Sequence, residues 1–279
     1  MNKIGFIGLG NMGGVLLRSL LKFGAFDPAD VIVSTRTPGK IKDLISAFPG
    51  LRVAKSNRAL AAESRTIFIG VRTGDVRDVL LDIRPSLRAN VHFITISGGL
   101  TAKNIAKIYN GKLTKVIPSV TCEAGQSVSL VFHNPKVSLR EAGEVERWLS
   151  CLGLVKVIDE DQFEIGADMT SCAPAFIASL FKHFTEAGLK HSRFGRQDVE
   201  DMVLMTLLGT ATLLYEKKRG FDSLIAQVAT KGGMTEEGLK VFDRYIPAVF
   251  DEVLEATLKK HAIVKQNMDE LFANQEDSQ

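Results

Sequence analysis

A chain of 279 residues with 45% hydrophobic and 24% charged side chains has the length for two modest domains, each able to bury its own core. The 35 basic and 32 acidic residues leave a net charge of only +3, and the basic ones are dispersed, which excludes a nucleic-acid footprint. Apolar runs are too short to span a bilayer, and the first strand begins too early to leave room for a secretion signal, so a cytoplasmic protein without membrane contact is expected.

Residues 3–7 form an apolar strand that runs straight into a glycine-rich turn of Gly8, Leu9, Gly10, Asn11, Met12 and Gly13. An amphipathic helix carrying Val15, Leu16, Leu17, Leu20 and Leu21 follows. A G-x-G-x-x-G turn in that setting marks a dinucleotide site. Gly8 allows the tight turn, Gly10 leaves room for a pyrophosphate, Gly13 lets helix and strand pack closely, and the helix N-terminus receives the negative charge. Strands at 31–34, 66–70, 91–96, 115–117, 128–132 and 155–158 then alternate with helices at 39–47, 57–63, 75–83, 101–109 and 138–152. Several strands are apolar on both faces, as in a parallel sheet covered on both sides. The prediction is an α/β, doubly wound Rossmann-type domain over 1–158.

From 159 to 279 the β signal vanishes. Helical periodicity covers 160–190, 196–219, 221–229 and 235–275, with Pro247 starting or kinking part of the last stretch and a frayed tail over 274–279. This half is rich in Ala, Leu, Met and Phe, more apolar surface than one small helical domain needs, which predicts burial against a second copy.

The second strand ends in Ser34, Thr35, Arg36 and Thr37, with Lys40 close behind and no carboxylate before Asp43. An acidic residue there would accept from ribose hydroxyls, whereas a cation flanked by hydroxyls suits a 2′-phosphate, so NADP(H) is favoured over NAD(H). A solvated polar turn is the competing reading. Ligands of such sheets sit at the carboxyl ends of the strands, which adds Gly70, Val71, Arg72, Thr73, Ser97, Gly98, Gly99, Pro118 and Ser119 as candidates.

A second glycine segment, Lys231, Gly232, Gly233, Met234 and Thr235, separates two predicted helices. Thr235 followed by Glu236 and Glu237 looks like an N-cap with favourable first-turn charge, and the two glycines would expose N–H groups to a small carboxylate. A well-capped linker fits equally well. Three cysteines without metal spacing (Cys122, Cys151, Cys172) read as reduced thiols, and no metal site is expected. The five histidines, His92, His133, His183, His191 and His261, show no spacing or carboxylate partner that would make them ligands.

The chain as a whole resembles the pyrroline-5-carboxylate reductase family. The resemblance rests on Gly5 to Gly13, the Ile117-Pro118 turn, Ser171 to Phe176, and above all Lys231 to Thr235 with Gly238. It implies NAD(P)H-dependent reduction of the cyclic imine 1-pyrroline-5-carboxylate to L-proline by an interlocked homodimer, in some members a larger ring. It places Gly8 to Gly13 on the pyrophosphate, Ser34 and Arg36 on the adenosine phosphate, and Asn57 on the nucleotide. Val71, Arg72, Thr73, Ser97 and Gly98 would line the ribose and nicotinamide. Lys231, Gly232, Gly233, Met234 and Thr235 would hold the substrate carboxylate, with the Thr235 hydroxyl near the ring nitrogen as the catalytic contact.

The family pattern has Lys-Pro at Arg72-Thr73, Pro-Asn at Pro118-Ser119, Ser-Pro at Thr230-Lys231 and Ser-Gly-Pro-Ala at Cys172 to Ala175. These departures resemble the ComER-like, late-competence branch, and they leave open a degenerate NADP-binding homologue with a regulatory role. A β-hydroxyacid dehydrogenase would need a lysine where the helical half opens, and Met169 to Pro174 offers none.

Overall fold

A computed structural model describes residues 3–36 and 39–273. Thr37 and the 274–279 tail therefore lie outside the described residues, as does the side chain of Lys40.

Eight strands form one sheet in the order β3-β2-β1-β4-β5-β6-β7-β8. They are β1 (Lys3–Ile7), β2 (Val31–Ser34), β3 (Arg52–Val53), β4 (Ser64–Ile69), β5 (His92–Thr95), β6 (Lys112–Ile117), β7 (Ser127–His133) and β8 (Gly153–Val157). β1 to β6 run parallel; β7 is antiparallel to β6, and β8 runs parallel to β7. The helices on this sheet are α1 (Asn11–Lys22), α2 (Gly39–Ala47), α3 (Asn57–Glu63), α4 (Val76–Ile83), α5 (Ala102–Ala106) and α6 (Leu139–Ser150). The predicted doubly wound architecture is what the chain adopts. The two-residue edge strand β3 is the addition, too short and too exposed to carry a sequence signal.

Strand alternation explains the two apolar layers. Ile4, Phe6, Val31, Val33, Phe68 and Ile94 point to one face, where Leu16, Leu17 and Leu20 of α1 and Val145 and Leu149 of α6 cover them. Phe6 and Phe68 stack with centroids 4.3 Å apart. Ile7, Ile32, Ile67, Ile69 and Phe93 point to the other face, under Leu60 of α3, Leu80 and Ile83 of α4 and Ile105 of α5.

After β8 come α7 (Phe163–Ala167), a π-helical turn (Asp168–Cys172), α8 (Ala173–Lys190), α9 (Arg196–Tyr215), α10 (Phe221–Val228) and α11 (Met234–Ala273). The π turn has local causes. Pro174 has no N–H to give back to the helix, and the hydroxyls of Thr170 and Ser171 bond the Gly166 and Ala167 carbonyls at 2.8 and 3.2 Å. α11 passes through Pro247 as one helix. No helix among the described residues is long and apolar enough to cross a membrane.

The chain forms two compact units, 1–174 with 257–279, and 175–256. The sequence reading divides it at 158/159; the compact units instead divide after Pro174, and the last turns of α11 belong with the sheet. Phe272 is 3% exposed within the second apolar layer, and the Asn104 side-chain amide donates to Asp269 at 2.8 Å. In the 175–256 unit, Met202, Leu204, Met205 and Leu208 of α9 stay open to solvent in the single chain.

Candidate active site

A cleft of about 630 Å³ opens at the carboxyl ends of β1, β2 and β4. Of the residues expected on a nucleotide, Gly8, Leu9, Gly10, Ser34, Arg36, Asn57, Val71 and Arg72 line it, together with Gly70. Gly8 has φ +89°, and a Cβ on Gly13 would sit 2.7 Å from the Gly8 carbonyl oxygen and 3.1 Å from that of Gly70. Only glycine permits this backbone approach, which brings the start of α1 down onto β1 and β4. Gly10 precedes α1 with no side chain to cap it, so the first-turn N–H groups of that helix are not taken by a side-chain cap. A diphosphate fits this cradle.

Asn11 lines a neighbouring groove with Leu9 and Gly10, and Met12 packs toward the apolar layer beneath α1. The Ser34 hydroxyl donates to Asn57 Oδ1 at 2.7 Å, joining β2 to α3 across the cleft floor. Arg36, 86% exposed, reaches Asp75 Oδ2 at 2.8 Å. Asp75, Asp78 and Asp82 also line the cleft, which sequence reasoning missed. Their signal is the i, i+3, i+7 spacing of three acids along one helical stretch. The Thr73 hydroxyl donates to the Gly98 carbonyl at 3.3 Å, and Ser97 Oγ to that of Val71 at 3.5 Å, so the loops after β4 and β5 are tied together beside the cleft.

Lys231, Gly232, Gly233, Met234 and Thr235 form the turn into α11, within the 175–256 unit, whereas every cofactor candidate lies in the other unit. Two corrections concern this turn. The helix begins at Met234, so Thr235 sits inside its first turn rather than at the N-cap. The reason is Glu236, whose carboxylate accepts the Gly232 N–H at 2.5 Å and takes the capping role. The Gly233 N–H, expected to be open, donates to the Thr230 carbonyl at 2.9 Å.

A further correction concerns histidine. His261 and His133 do have carboxylate partners, made by α11 folding back on α7 and by α6 crossing β7. His261 Nε2 is 3.1 Å from Asp168 Oδ1, and His133 Nε2 is 3.4 Å from Glu146. The Asp168 carboxylate is wholly buried and also accepts the Thr257 hydroxyl at 2.7 Å. Burial, and then the Asp168 charge beside it, push the Cys172 thiol up. Nearby, buried Lys115 pairs with Glu160 at 2.7 Å; burial pulls its pKa down and the carboxylate opposes the loss.

Residues 160–263 match the family described as pyrroline-5-carboxylate reductase dimerisation, and residues 3–99 match that described as NADP oxidoreductase coenzyme F420-dependent. Pyrroline-5-carboxylate reductase 3 of Bacillus subtilis (strain 168) is 30% identical over 96% of this chain and 98% of its own length. The chain belongs to the pyrroline-5-carboxylate reductase family. Membership makes it an NAD(P)H-dependent oxidoreductase of the class acting on C=N bonds, in agreement with the family resemblance read from its motifs. ComE operon protein 4 of the same organism is 29% identical over 93% of this chain and 95% of its own length. The fold recurs in a pyrroline carboxylate reductase of Plasmodium falciparum with NADP bound, at TM-score 0.84 and 22% identity over 95% of this chain and 98% of that one. A pyrroline-5-carboxylate reductase of Coxiella burnetii superposes with TM-score 0.81 at 23% identity, over 97% and 98% of the two chains.

Proposed function

We propose that this reductase-family member uses NADPH to reduce a cyclic imine, 1-pyrroline-5-carboxylate to L-proline being the reaction best supported. The observation that carries the reading is the intact nucleotide cleft, with Gly8, Gly10 and Gly13 in place and Arg36 at the end of β2, in a chain aligned to a pyrroline-5-carboxylate reductase over nearly its whole length. When bound, NADPH supplies the hydride. The start of α1 would hold the pyrophosphate, and Arg36, exchanging Asp75 for phosphate and helped by Ser34, would hold the 2′-phosphate. Asn57, Val71, Arg72, Thr73, Ser97 and Gly98 would position the riboses and nicotinamide. Lys231, Gly232, Gly233 and Met234 would hold the substrate carboxylate, with Thr235 as the hydroxyl nearest the reacting nitrogen. The Gly232 N–H must then leave Glu236, and Lys231 adds a cation that favours an acidic substrate.

The same reading pairs two copies through the 175–256 unit, whose α9 leaves Met202, Leu204, Met205 and Leu208 uncovered, and sets the protein in the cytoplasm. Mixing enzyme, NADPH and pyrroline-5-carboxylate and following NADPH absorbance tests it; steady oxidation that yields proline is expected. A second reading, a nucleotide-binding homologue without turnover, is favoured by the likeness to ComE operon protein 4 and by the changed residues at Arg72-Thr73, Ser119 to Thr121 and Thr230-Lys231. Tight NADPH binding by calorimetry without oxidation of any cyclic imine would replace the first reading with the second.

A further inference from the structure

The chain enters its helical half through the π turn and comes back to that turn along α11, and the return brings three metal-binding side chains together. A carboxyl oxygen of Asp168, the sulfur of Cys172 and a ring nitrogen of His261 all lie within 4.8 Å of one another. Asp168 and Cys172 are four positions apart on the π turn, which puts both on one face, and His261 meets them from α11. All three belong to the same compact unit. Spacing along the chain shows nothing of this, since His261 lies 93 positions from Asp168.

Asp168 has no exposed side-chain surface, and among the described residues no lysine or arginine pairs with it. Its Oδ2 accepts the Thr257 hydroxyl at 2.7 Å, which fixes the carboxyl plane and leaves Oδ1 facing His261 Nε2 at 3.1 Å. Carboxyl groups that hold metals are oriented by an outer hydrogen bond of this kind. Two ligand atoms about 2.0 Å from one ion, at the tetrahedral angle, stand about 3.3 Å apart, so Oδ1 and Nε2 already have nearly the spacing of neighbouring ligands. A sulfur about 2.3 Å from the ion stands about 3.6 Å from each of them. Cys172, 4.8 Å away at the widest, closes by a small side-chain rotation. The His261 side chain is 25% exposed, which gives an ion a way in and lets water reach the fourth position.

We propose that Asp168 Oδ1, Cys172 Sγ and His261 Nε2 bind one Zn²⁺, with water as the fourth ligand. The mixed set decides the metal: a thiolate and an imidazole suit a borderline ion, whereas Mg²⁺ and Ca²⁺ call for oxygen ligands. On binding, the Cys172 thiol gives its proton to solvent, and the neutral imidazole carries its own on Nδ1. One position open to water makes the site exchangeable rather than sealed, so the ion is gained and lost reversibly. None of the residues lining the nucleotide cleft belongs to it; the ion's role is to hold α11 on the π turn, whichever reaction the protein performs.

Cobalt and zinc test this on the full-length protein after treatment with a chelator. One Co²⁺ per chain should give the visible bands of a four-coordinate ion and a sulfur-to-cobalt charge-transfer band, and Zn²⁺ should displace it. Cys172→Ser should abolish the charge-transfer band, and His261→Gln should weaken Zn²⁺ by at least roughly ten-fold. Thr257→Val keeps all three ligands and should still cost roughly ten-fold, the usual loss when an outer hydrogen bond goes. Zn²⁺ should raise the thermal midpoint of the unaltered protein and leave that of Cys172→Ser in place. A charge-transfer band that survives in Cys172→Ser and disappears in Cys151→Ser, whose thiol is exposed, would mean capture by a surface thiol and overturns the proposal.

A second measurement needs no variant. X-ray absorption at the zinc edge of the unaltered protein should show one sulfur at about 2.3 Å with three oxygen or nitrogen ligands at about 2.0 Å. A shell without sulfur, or no uptake of either ion, overturns the proposal. Neither measurement depends on turnover, so the reductase reading stands or falls separately.

Discussion

Lowering the pH should destabilise this protein through His92. The ring is buried, and its Nε2 lies 2.7 Å from the Thr114 hydroxyl, which lies 2.7 Å in turn from His133 Nδ1. One hydroxyl hydrogen serves two rings, so the chain closes only when Thr114 donates to one and accepts from the other. Burial, foremost, lowers the His92 pKa from 6.5 to about 4; Glu141 opposes, and His133 and Lys112 assist. Burial also lowers that of His133, against the pull of Glu146.

A base whose folded pKa lies below its unfolded one binds fewer protons when folded. Its contribution is therefore complete above pH 6.5 and is lost as the pH falls to about 4. A shift from 6.5 to about 4, at 1.36 kcal/mol for each pH unit, amounts to about 3 kcal/mol for His92 alone. Glu141 does not confuse the window. Burial raises its pKa, yet hydrogen bonds from Lys112 and Ser138 outweigh that and hold it at about 2, so its own loss comes mainly at lower pH. Urea unfolding by circular dichroism from about pH 4.5 to 7.5, at one protein concentration, reads the slope. His92→Gln, which has no ring to titrate, should flatten it. Parallel curves for the variant and the unaltered protein would show that His92 is not the group lost.

Three further outcomes bear on the cleft. Arg36→Ala should weaken NADPH by roughly ten-fold, the value of a charged hydrogen bond near solvent, and leave NADH almost untouched; calorimetry with both nucleotides decides, and equal losses would contradict a 2′-phosphate at Arg36. Gly13→Ala puts a methyl within 2.7 Å of the Gly8 carbonyl, where only backbone could yield, so NADPH binding should vanish at a cost of roughly 1–3 kcal/mol in folding. Retained affinity would mean that α1 does not hold the pyrophosphate. Thr235→Ala should lower kcat and leave the NADPH dissociation constant unchanged; full turnover would exclude the hydroxyl from the reacting nitrogen.

Much of the fold was legible because strand and helix periods are written in the apolar residues. The strand Ile4 to Ile7 and the stripe Leu16, Leu17, Leu20, Leu21 leave little choice of architecture once a glycine turn joins them. The nucleotide end was legible for the same reason, since it is local in sequence. What escaped was made by distant segments. Asp168 and His261 are 93 positions apart and meet only because α11 returns to α7, so no spacing rule could pair them. Thr followed by Glu usually signals a cap, but at Thr235 the Glu236 side chain reaches the Gly232 N–H and takes that place. The helix expected over 101–109 starts at the capping box of Thr101 and Asn104 and ends at Ala106, after which the Ile108 and Tyr109 N–H groups both turn back to the Ile105 carbonyl.

The return of α11 also sets an order of events during synthesis. Phe272 closes the apolar layer over α5, Asp269 ties down Asn104, and Phe272's carbonyl holds Lys107, so the sheet built from the first 157 residues keeps an open seam until the last turns of α11 are made. The nucleotide half therefore waits for a segment more than a hundred residues downstream of its last strand. A truncation that removes the final turns of α11 would therefore strip cover from the nucleotide half, and leave it to be handled as a nascent chain rather than a finished enzyme.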